Sequence, residues 1–144
     1  MTDFKKVFIY TAPFIYFIEK NEDNPQYYNK VKKFFDDAYY NDVDFVSSVI
    51  TVEEYLVFPY KIHSQEYVDL FEKLIKTLEM DVVIIDEKTA KKAAEIRAEY
   101  KSFKAMDALQ LAVASLSDCD LFLTNDKQLR QFKEIKCITV EELE

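Results

Sequence analysis

Glycine is absent from the sequence, although it makes up roughly 7% of an average soluble protein. Its absence excludes the GxGxxG dinucleotide loop and the Walker A loop, because both need backbone that a Cβ atom would obstruct. Histidine occurs once, as His63, and the two cysteines, Cys119 and Cys137, form no CxxC pair. A zinc site is therefore not expected; His63 is interpreted as a surface residue at a helix end, and the thiols as free ones in a reducing compartment.

Positive charge is also scarce: the sequence has 19 Lys and Arg residues against 27 Asp and Glu residues, and its formal net charge is −8. This balance disfavours non-specific binding of nucleic acid, which depends on neutralising phosphates. An RNA substrate would need a local basic patch, for which Lys101, Lys104, Lys127 and Arg130 are candidates. No apolar run approaches the ~20 residues of a membrane span and no signal peptide is evident, so the sequence predicts a cytoplasmic protein without a membrane partner.

Short apolar segments alternate with helical patterns along the 144 residues. The predicted strands are 6–9, 43–49, 82–85, 120–123 and 138–140, and the predicted helices are 11–20, 24–40, 51–60, 64–78, 88–100, 107–116 and 126–132. This alternation predicts βαβ units, hence an α/β fold in which helices cover both faces of a parallel sheet. Thr11 and Asn24 are the expected N-caps of the first two helices, and residues 141–144 are expected to form a solvated end.

Three acidic residues stand where an apolar segment meets a helical pattern, namely Glu54, Asp107 and Asp126. At the fourth such place, which closes the first strand, the chain has Tyr10. Because strand-to-helix switch points of a parallel sheet share one edge, we expect these side chains to lie together. Carboxylate oxygens are the ligands that Mg²⁺ and Mn²⁺ prefer, so the pattern predicts a metal-dependent hydrolase site, with Tyr10 standing against its activity.

Each acid also has a purely structural interpretation. Glu54 has the spacing of a capping box begun by Thr51, and Asp107 and Asp126 fit first helical turns, where negative charge is favoured by ~0.3–1 kcal/mol. Taken together, the three favour a site, because carboxylates drawn toward a core are costly unless paired or metal-bound.

Aromatic residues crowd the first two predicted helices: Tyr16, Phe17, Tyr27, Tyr28, Phe34, Phe35, Tyr39 and Tyr40. Two helices usually bury less aromatic surface than this against one sheet. The pattern predicts an interface there for a second copy of the chain or for a partner peptide. On the amphipathic helix 64–78, the expected buried face is Tyr67, Leu70, Phe71, Leu74 and Leu78.

Four segments resemble a known family in their order along the chain: VFIYTAPFIYFIE, SSVITVEEYLVFP, KAMDALQLAVA and DLFLTNDKQL. They resemble the PIN-domain ribonucleases, and especially the VapC-type toxins of toxin–antitoxin systems. The resemblance covers nearly the whole chain and implies a PIN-like α/β/α sandwich, in which a parallel five-stranded sheet is flanked by helices, as one domain over residues 1–144. It further implies cleavage of RNA with Mg²⁺ or Mn²⁺ and an antitoxin-like partner. A homodimer is expected from the aromatic residues of the first two helices.

The resemblance assigns metal-binding and catalytic roles to Glu54, Asp107 and Asp126, and supporting roles to Thr124 and Asn125. Glu53 is adjacent to Glu54 but out of register with the family's pattern.

The chain departs from the family at Tyr10, where the pattern has an aspartate followed by Thr-Asn and this sequence has Thr11-Ala12. A phenol with a pKa of ~10 is a poor ligand for a hard cation at neutral pH, and its ring would crowd the metal position. The implied function is a metal-dependent endoribonuclease impaired by Tyr10. The alternative is an inactive PIN module that dimerises or binds an antitoxin. A phospho-acceptor receiver domain is set aside, because acids after the first strand and a lysine after the last are both missing.

Overall fold

A parallel five-stranded sheet with strand order β3-β2-β1-β4-β5 forms the centre of the molecule. The computed structural model describes residues 3–20 and 24–144. The strands are β1 Lys6–Ile9, β2 Asp44–Ser48, β3 Asp81–Val83, β4 Leu121–Thr124 and β5 Lys136–Thr139. The helices are α1 Thr11–Glu19, α2 Pro25–Tyr40, α3 Val49–Lys61, α4 Gln65–Thr77, α5 Glu87–Glu99 and α6 Ala105–Leu116. The predicted fold class, a five-stranded parallel sheet flanked by helices, is confirmed.

Both faces of the sheet are buried, as the apolar strands predict for a parallel sheet. Along β1, Val7 and Ile9 belong to a core cluster that also includes side chains of α1, α2 and α4. Phe8 points to the other face and belongs to a second cluster with α5 and α6. This alternation follows from the two-residue period of a strand. By the same period, Tyr10, which follows the last residue of β1, belongs to the second cluster.

Helix α3 begins two residues earlier than the sequence pattern suggests. Ser48 is its N-cap, and the Ser48 hydroxyl accepts a 3.0 Å hydrogen bond from the backbone N–H of Ile50. Thr51, which the pattern favours as the cap, is instead buried inside the first turn and accepts a hydrogen bond from Gln110. The capping-box interpretation of Glu54 is therefore wrong, because the helix has already started when the chain reaches Thr51.

Three other helix or turn starts also differ from the sequence prediction. Helix α1 starts at Thr11 itself, with Tyr10 in the N-cap position and no side-chain cap, so Thr11 is not the cap. Helix α6 starts at Ala105, which makes Asp107 a residue of its first turn rather than its opening residue. Asp126 precedes a 3₁₀ turn, Lys127–Gln131, and caps it.

The prediction of a solvated end is wrong for Leu143, which packs against the domain, whereas Glu141, Glu142 and Glu144 are exposed. A second 3₁₀ turn, Val140–Glu142, follows β5, and Glu142 and Thr139 form a capping box across it. Leu143 is only 9% exposed and joins the core cluster that contains Val7. On α4, Leu70 is exposed while Val68 is buried, which corrects one residue of the predicted face.

The aromatic side chains of α1 and α2 largely contact one another. The rings of Tyr16 and Tyr27 are 4.8 Å apart, and Phe17 contacts both Tyr28 and Phe35. Of the eight aromatic residues in this region, Tyr39 and Tyr40 are the exposed pair. Part of the aromatic crowding on these helices therefore serves their contact with each other, and the predicted interface at this region stays a prediction.

Four helices end in a Schellman motif, although the chain has no glycine to supply the left-handed residue. Asp42, His63, Glu79 and Asp118 have φ between 51 and 59° and follow α2, α3, α4 and α6, and Lys20 after α1 has φ 49°. After α2, the Asp42 and Val43 N–H groups donate to the carbonyls of Tyr39 and Ala38. The same pair of bonds recurs after α3, α4 and α6. His63 is thus an exposed helix-end residue, as predicted.

Both cysteines are buried and free. Within residues 3–20 and 24–144, no helix has the length and apolar character needed to cross a membrane.

Candidate active site

The sequence-predicted site residues line one open pocket of about 330 Å³ at the carboxyl ends of the central strands. Its lining residues are Tyr10, Thr11, Ala12, Glu54, Asp107, Thr124, Asn125 and Asp126. Tyr10, Glu54 and Asp126 meet because β1, β2 and β4 are neighbours in the sheet and the segments that follow them begin at the same edge. Asp107 reaches this edge differently: it lies in the first turn of α6, the helix that leads into the start of β4 and therefore begins at the opposite, carboxyl edge. The expectation that the three acids lie at one edge of the sheet agrees with this geometry.

Tyr10 forms a hydrogen bond with Asp107, one of the three acids. Its hydroxyl donates a hydrogen bond of 2.8 Å to Oδ1 of Asp107, and its ring packs edge-on against Phe122 at 5.9 Å. Burial raises the pKa of the Tyr10 phenol far above its ordinary value, and the bond to Asp107 and the charge of Glu54 act in the same direction. Tyr10 is therefore a neutral hydrogen-bond donor in the place where the family pattern has a carboxylate.

Glu54 is held by the residue that follows Tyr10. The Thr11 hydroxyl donates a hydrogen bond of 2.6 Å to Oε1 of Glu54. Burial raises the pKa of Glu54, the bond from Thr11 lowers it, and the charges of Glu53 and Asp107 raise it. Because burial is the largest of these causes, the ionised form of Glu54 is disfavoured in this pocket.

Asp126 is engaged by backbone groups on its own segment. Its Oδ1 accepts a hydrogen bond of 2.9 Å from the Gln128 N–H, which is the cap of the first 3₁₀ turn. The buried Thr124 hydroxyl accepts a bond of 3.2 Å from the Asp126 N–H and so fixes the backbone there. The side-chain amide of Asn125 donates a hydrogen bond of 2.9 Å to the Tyr16 hydroxyl.

These residues do not fit a divalent cation as they stand. Each of the three carboxylates already accepts a hydrogen bond from the chain, and one of those donors is the phenol of Tyr10. Among the described residues, no three acidic, histidine or cysteine side chains are grouped closely enough to hold a metal ion. A neutral phenol cannot replace the missing carboxylate, because Mg²⁺ and Mn²⁺ prefer charged oxygen ligands.

Two of the four basic residues that the sequence suggested for phosphate binding already form salt bridges. Lys127 lies 3.4 Å from a carboxylate oxygen of Glu141, and Arg130 lies 3.5 Å from one of Glu142. Lys101 and Lys104, which precede α6, are exposed. The packed C-terminus thus neutralises half of the basic patch that the sequence suggested for phosphate binding.

A polar residue that sequence reasoning missed lies behind the acids. Gln110 on α6 is fully buried and bonds to Ser48 and Thr51 at the start of α3. Its signal in the sequence is a single amide inside the apolar segment DALQLAVASL, where a buried polar side chain requires a partner.

Comparison with known proteins identifies relatives of this fold. A family model described as PIN domain matches residues 7–135. The chain is similar to a toxin-antitoxin complex from Klebsiella pneumoniae, at 21% identity and TM-score 0.69, over 93% of this chain and 97% of that one. It is also similar to DNA-bound VapBC from Salmonella typhimurium, at 17% identity and TM-score 0.68, over 94% and 98% of the two chains.

A third similar structure is FitAcB from Neisseria gonorrhoeae, at 19% identity and TM-score 0.68, over 95% of this chain and 99% of that one. At such identities the likeness shows a shared fold. A search of curated proteins found no match to the sequence.

Proposed function

The chain belongs to the PIN domain family, and on that premise we propose that it is a VapC-type toxin whose metal-dependent endoribonuclease site is silenced by Tyr10. The hydrogen bond from the Tyr10 hydroxyl to Asp107 carries this proposal, because it puts a neutral donor where the family pattern has an acidic ligand. The solved neighbours support the toxin assignment, since they include toxin-antitoxin complexes. The substrate class is RNA, and residues 1–144 form one domain.

Glu54, Asp107 and Asp126 are the remaining members of the proposed ligand set for Mg²⁺ or Mn²⁺. In a complete site, the cation would supply an activated water and a clamp for the phosphate. Thr11 and Thr124 are supporting residues, because Thr11 holds the Glu54 carboxylate and Thr124 holds the backbone of Asp126. Asn125 is a third supporting residue, which binds Tyr16 on α1 beside the pocket.

The test is RNA cleavage in the presence of Mn²⁺ by this chain and by Tyr10→Asp. We expect no cleavage by the Tyr10 chain and a gain of cleavage by Tyr10→Asp. Asp107→Asn in the Tyr10→Asp background is the control, and it should lose whatever activity the first substitution restores. Cleavage by Tyr10→Asp that survives Asp107→Asn would come from another site or from a contaminant, and the proposal would then be wrong.

Partner binding is the second candidate function, and exposed apolar side chains on α3 favour it. Val57, Phe58, Tyr60 and Ile62, at the carboxyl end of this helix, are 55, 45, 61 and 46% exposed. Such a cluster is typical of an interface. We propose that it pairs with a second copy of the chain, and that an antitoxin-like protein is a further partner, as in the solved toxin-antitoxin neighbours.

Light scattering after size-exclusion chromatography tests the homodimer. The chain is expected to elute as a dimer with and without EDTA, because this contact involves no metal. Phe58→Glu should convert it to a monomer, while Glu66→Gln on the exposed surface of α4 should not. A chain that is monomeric at all accessible concentrations would contradict this assignment of α3.

A further inference from the structure

A buried amide joins the two helices that carry Glu54 and Asp107. Gln110 on α6 is 0% exposed, and both ends of its side chain are bonded. Its Nε2 donates a hydrogen bond of 2.7 Å to the Thr51 hydroxyl, and its Oε1 accepts a short hydrogen bond from the Ser48 hydroxyl. Thr51 and Ser48 are equally buried, so these three side chains satisfy one another away from water.

Thr51 and Gln110 each lie about one helical turn from one of the two site acids on the same helix. Thr51 lies three residues before Glu54 on α3, and Gln110 lies three residues after Asp107 on α6. Side chains three residues apart on a helix occupy neighbouring positions on one face. The bond from Gln110 to Thr51 therefore connects the two helices one turn away from each carboxylate.

Ser48 extends this connection to the sheet. It is the last residue of β2 and the N-cap of α3, where its hydroxyl also accepts the Ile50 N–H. The single amide of Gln110 thus fixes α6 against both the end of a strand and the start of the next helix. An apolar contact would tolerate sliding of α3 along α6, but sliding here would leave buried donors and acceptors without partners, which is costly.

We propose that Gln110 is a positioning residue that sets the separation of Glu54 and Asp107 by tying α3 to α6. Its effect on catalysis rests on the proposed function, whereas its effect on the position of the two carboxylates does not. Gln110 touches neither carboxylate through a hydrogen bond of its own and acts through Thr51 and Ser48.

The first experiment measures the positions of the acids in the Tyr10 chain. The carboxyl ¹³C resonances of Glu54 and Asp107 report on the hydrogen bonds that Thr11 and Tyr10 donate to them. Gln110→Met keeps the length of the side chain without its polar atoms, and we expect it to shift both resonances at neutral pH. If both resonances stay unchanged in a folded Gln110→Met, the proposal is overturned.

The matched control is Thr89→Val, which removes the hydrogen bond of a buried threonine hydroxyl at the start of α5, a helix that carries none of the three site acids. It should lower the melting temperature as Gln110→Met does and leave both carboxyl resonances in place. Equal shifts in the control would mean that general destabilisation moves the acids, and the proposal would then be wrong.

The second experiment uses Thr51, in case Gln110→Met does not fold. In the Tyr10→Asp background, Thr51→Val removes the acceptor of the Gln110 amide, and Thr51→Ser retains a hydroxyl. We expect Thr51→Val to weaken Mn²⁺ binding, measured by electron paramagnetic resonance, by about tenfold or more, as for other residues that orient metal ligands. Thr51→Ser should restore the affinity, and a failure to do so would contradict the proposal.

The two ideas fail in different ways. If Tyr10→Asp binds no Mn²⁺ and cleaves no RNA, the proposed function is wrong, and the carboxyl resonances of the Tyr10 chain still decide the role of Gln110. If Tyr10→Asp is active and Thr51→Val has the same Mn²⁺ affinity and the same kcat, the site is real but Gln110 does not position it.

Discussion

The hydroxyl of Tyr10 and the carboxylate of Asp107 are joined by a hydrogen bond of 2.8 Å, which links the end of β1 to the first turn of α6. The bond engages one of the two carboxylate oxygens of Asp107, and Tyr10 lines the same pocket. Under the proposed function, Tyr10 would silence the site by loss of a ligand, by engagement of the neighbouring carboxylate and by steric obstruction, and substitutions at position 10 separate these effects.

Tyr10→Phe keeps the ring and removes only the donor. We expect it to lower the free energy of unfolding by about 1–2 kcal/mol, because the bond to a carboxylate is lost, and to leave the protein without measurable Mn²⁺ affinity. Tyr10→Asp should gain Mn²⁺ affinity, since it supplies a charged oxygen ligand. Isothermal titration with Mn²⁺ checks both. Equal binding by the two variants would show that the hydroxyl bond, rather than the missing carboxylate, excludes the cation.

The position of Glu54 predicts a pH dependence of stability. Burial raises its pKa above the ordinary value of 4.5, so the folded protein holds this proton more tightly than the unfolded chain does. The contribution of Glu54 to stability is therefore lost as the pH rises from 4.5 through the higher folded pKa. Glu54→Gln should raise the free energy of unfolding at neutral pH and change it little below pH 4.5.

Urea unfolding at neutral pH and below pH 4.5 measures the effect of Glu54→Gln. Glu72→Gln is the matched control, because it removes the same charge from an exposed position on α4 that does not act on the pKa of Glu54. A stability gain at neutral pH that is as large for Glu72→Gln as for Glu54→Gln would mean that net charge, and not burial of Glu54, causes it.

Leu143 contributes to the core even though it is the next-to-last residue. Leu143→Ala should cost about 2 kcal/mol, the lower end of the range for leucine in a core, since Leu143 lies at the edge of its cluster. Leu116→Ala on α6, where the side chain is 37% exposed, should cost much less. Thermal or urea denaturation compares the two, and equal losses would show that the C-terminus does not pack as described.

Both thiols should be unreactive in the folded protein. Burial raises the pKa of Cys119 and of Cys137 to about 12, so almost no thiolate is present at neutral pH. Reaction with Ellman's reagent is expected to follow global unfolding and to accelerate in urea with the same midpoint as the loss of helical signal. A thiol that reacts in the native protein at the rate of free cysteine would contradict its burial.

The order of elements and the gathering of the acids at one edge could be predicted from the sequence, because apolar period and sheet topology determine both. The start of α3 could not. Ser48 and Thr51 are both acceptable caps by residue type. Gln110 on α6 bonds to both hydroxyls, and in the folded chain Thr51 accepts from Gln110 while Ser48 is the cap. No local pattern contains that information.

The fate of the aromatic residues on α1 and α2 could not be predicted for a related reason. The sequence shows how many aromatic residues the two helices carry, but whether those faces turn toward each other or toward solvent depends on how the helices pair. The rings of Phe17 and Phe35 are 5.4 Å apart, so part of the aromatic surface is used between the two helices. The exposed apolar side chains lie instead on α3, among them Phe58 and Tyr60.

The absence of glycine affects the free energy of both the folded and the unfolded state. In the folded state, residues such as Lys20 and Glu79 adopt a backbone conformation that costs an ordinary side chain roughly 1–2 kcal/mol relative to glycine. In the unfolded state, the same absence of glycine leaves a stiffer chain with less conformational entropy to lose on folding. The strain at the helix ends and the reduced freedom of the unfolded chain thus have one cause and act in opposite directions on stability.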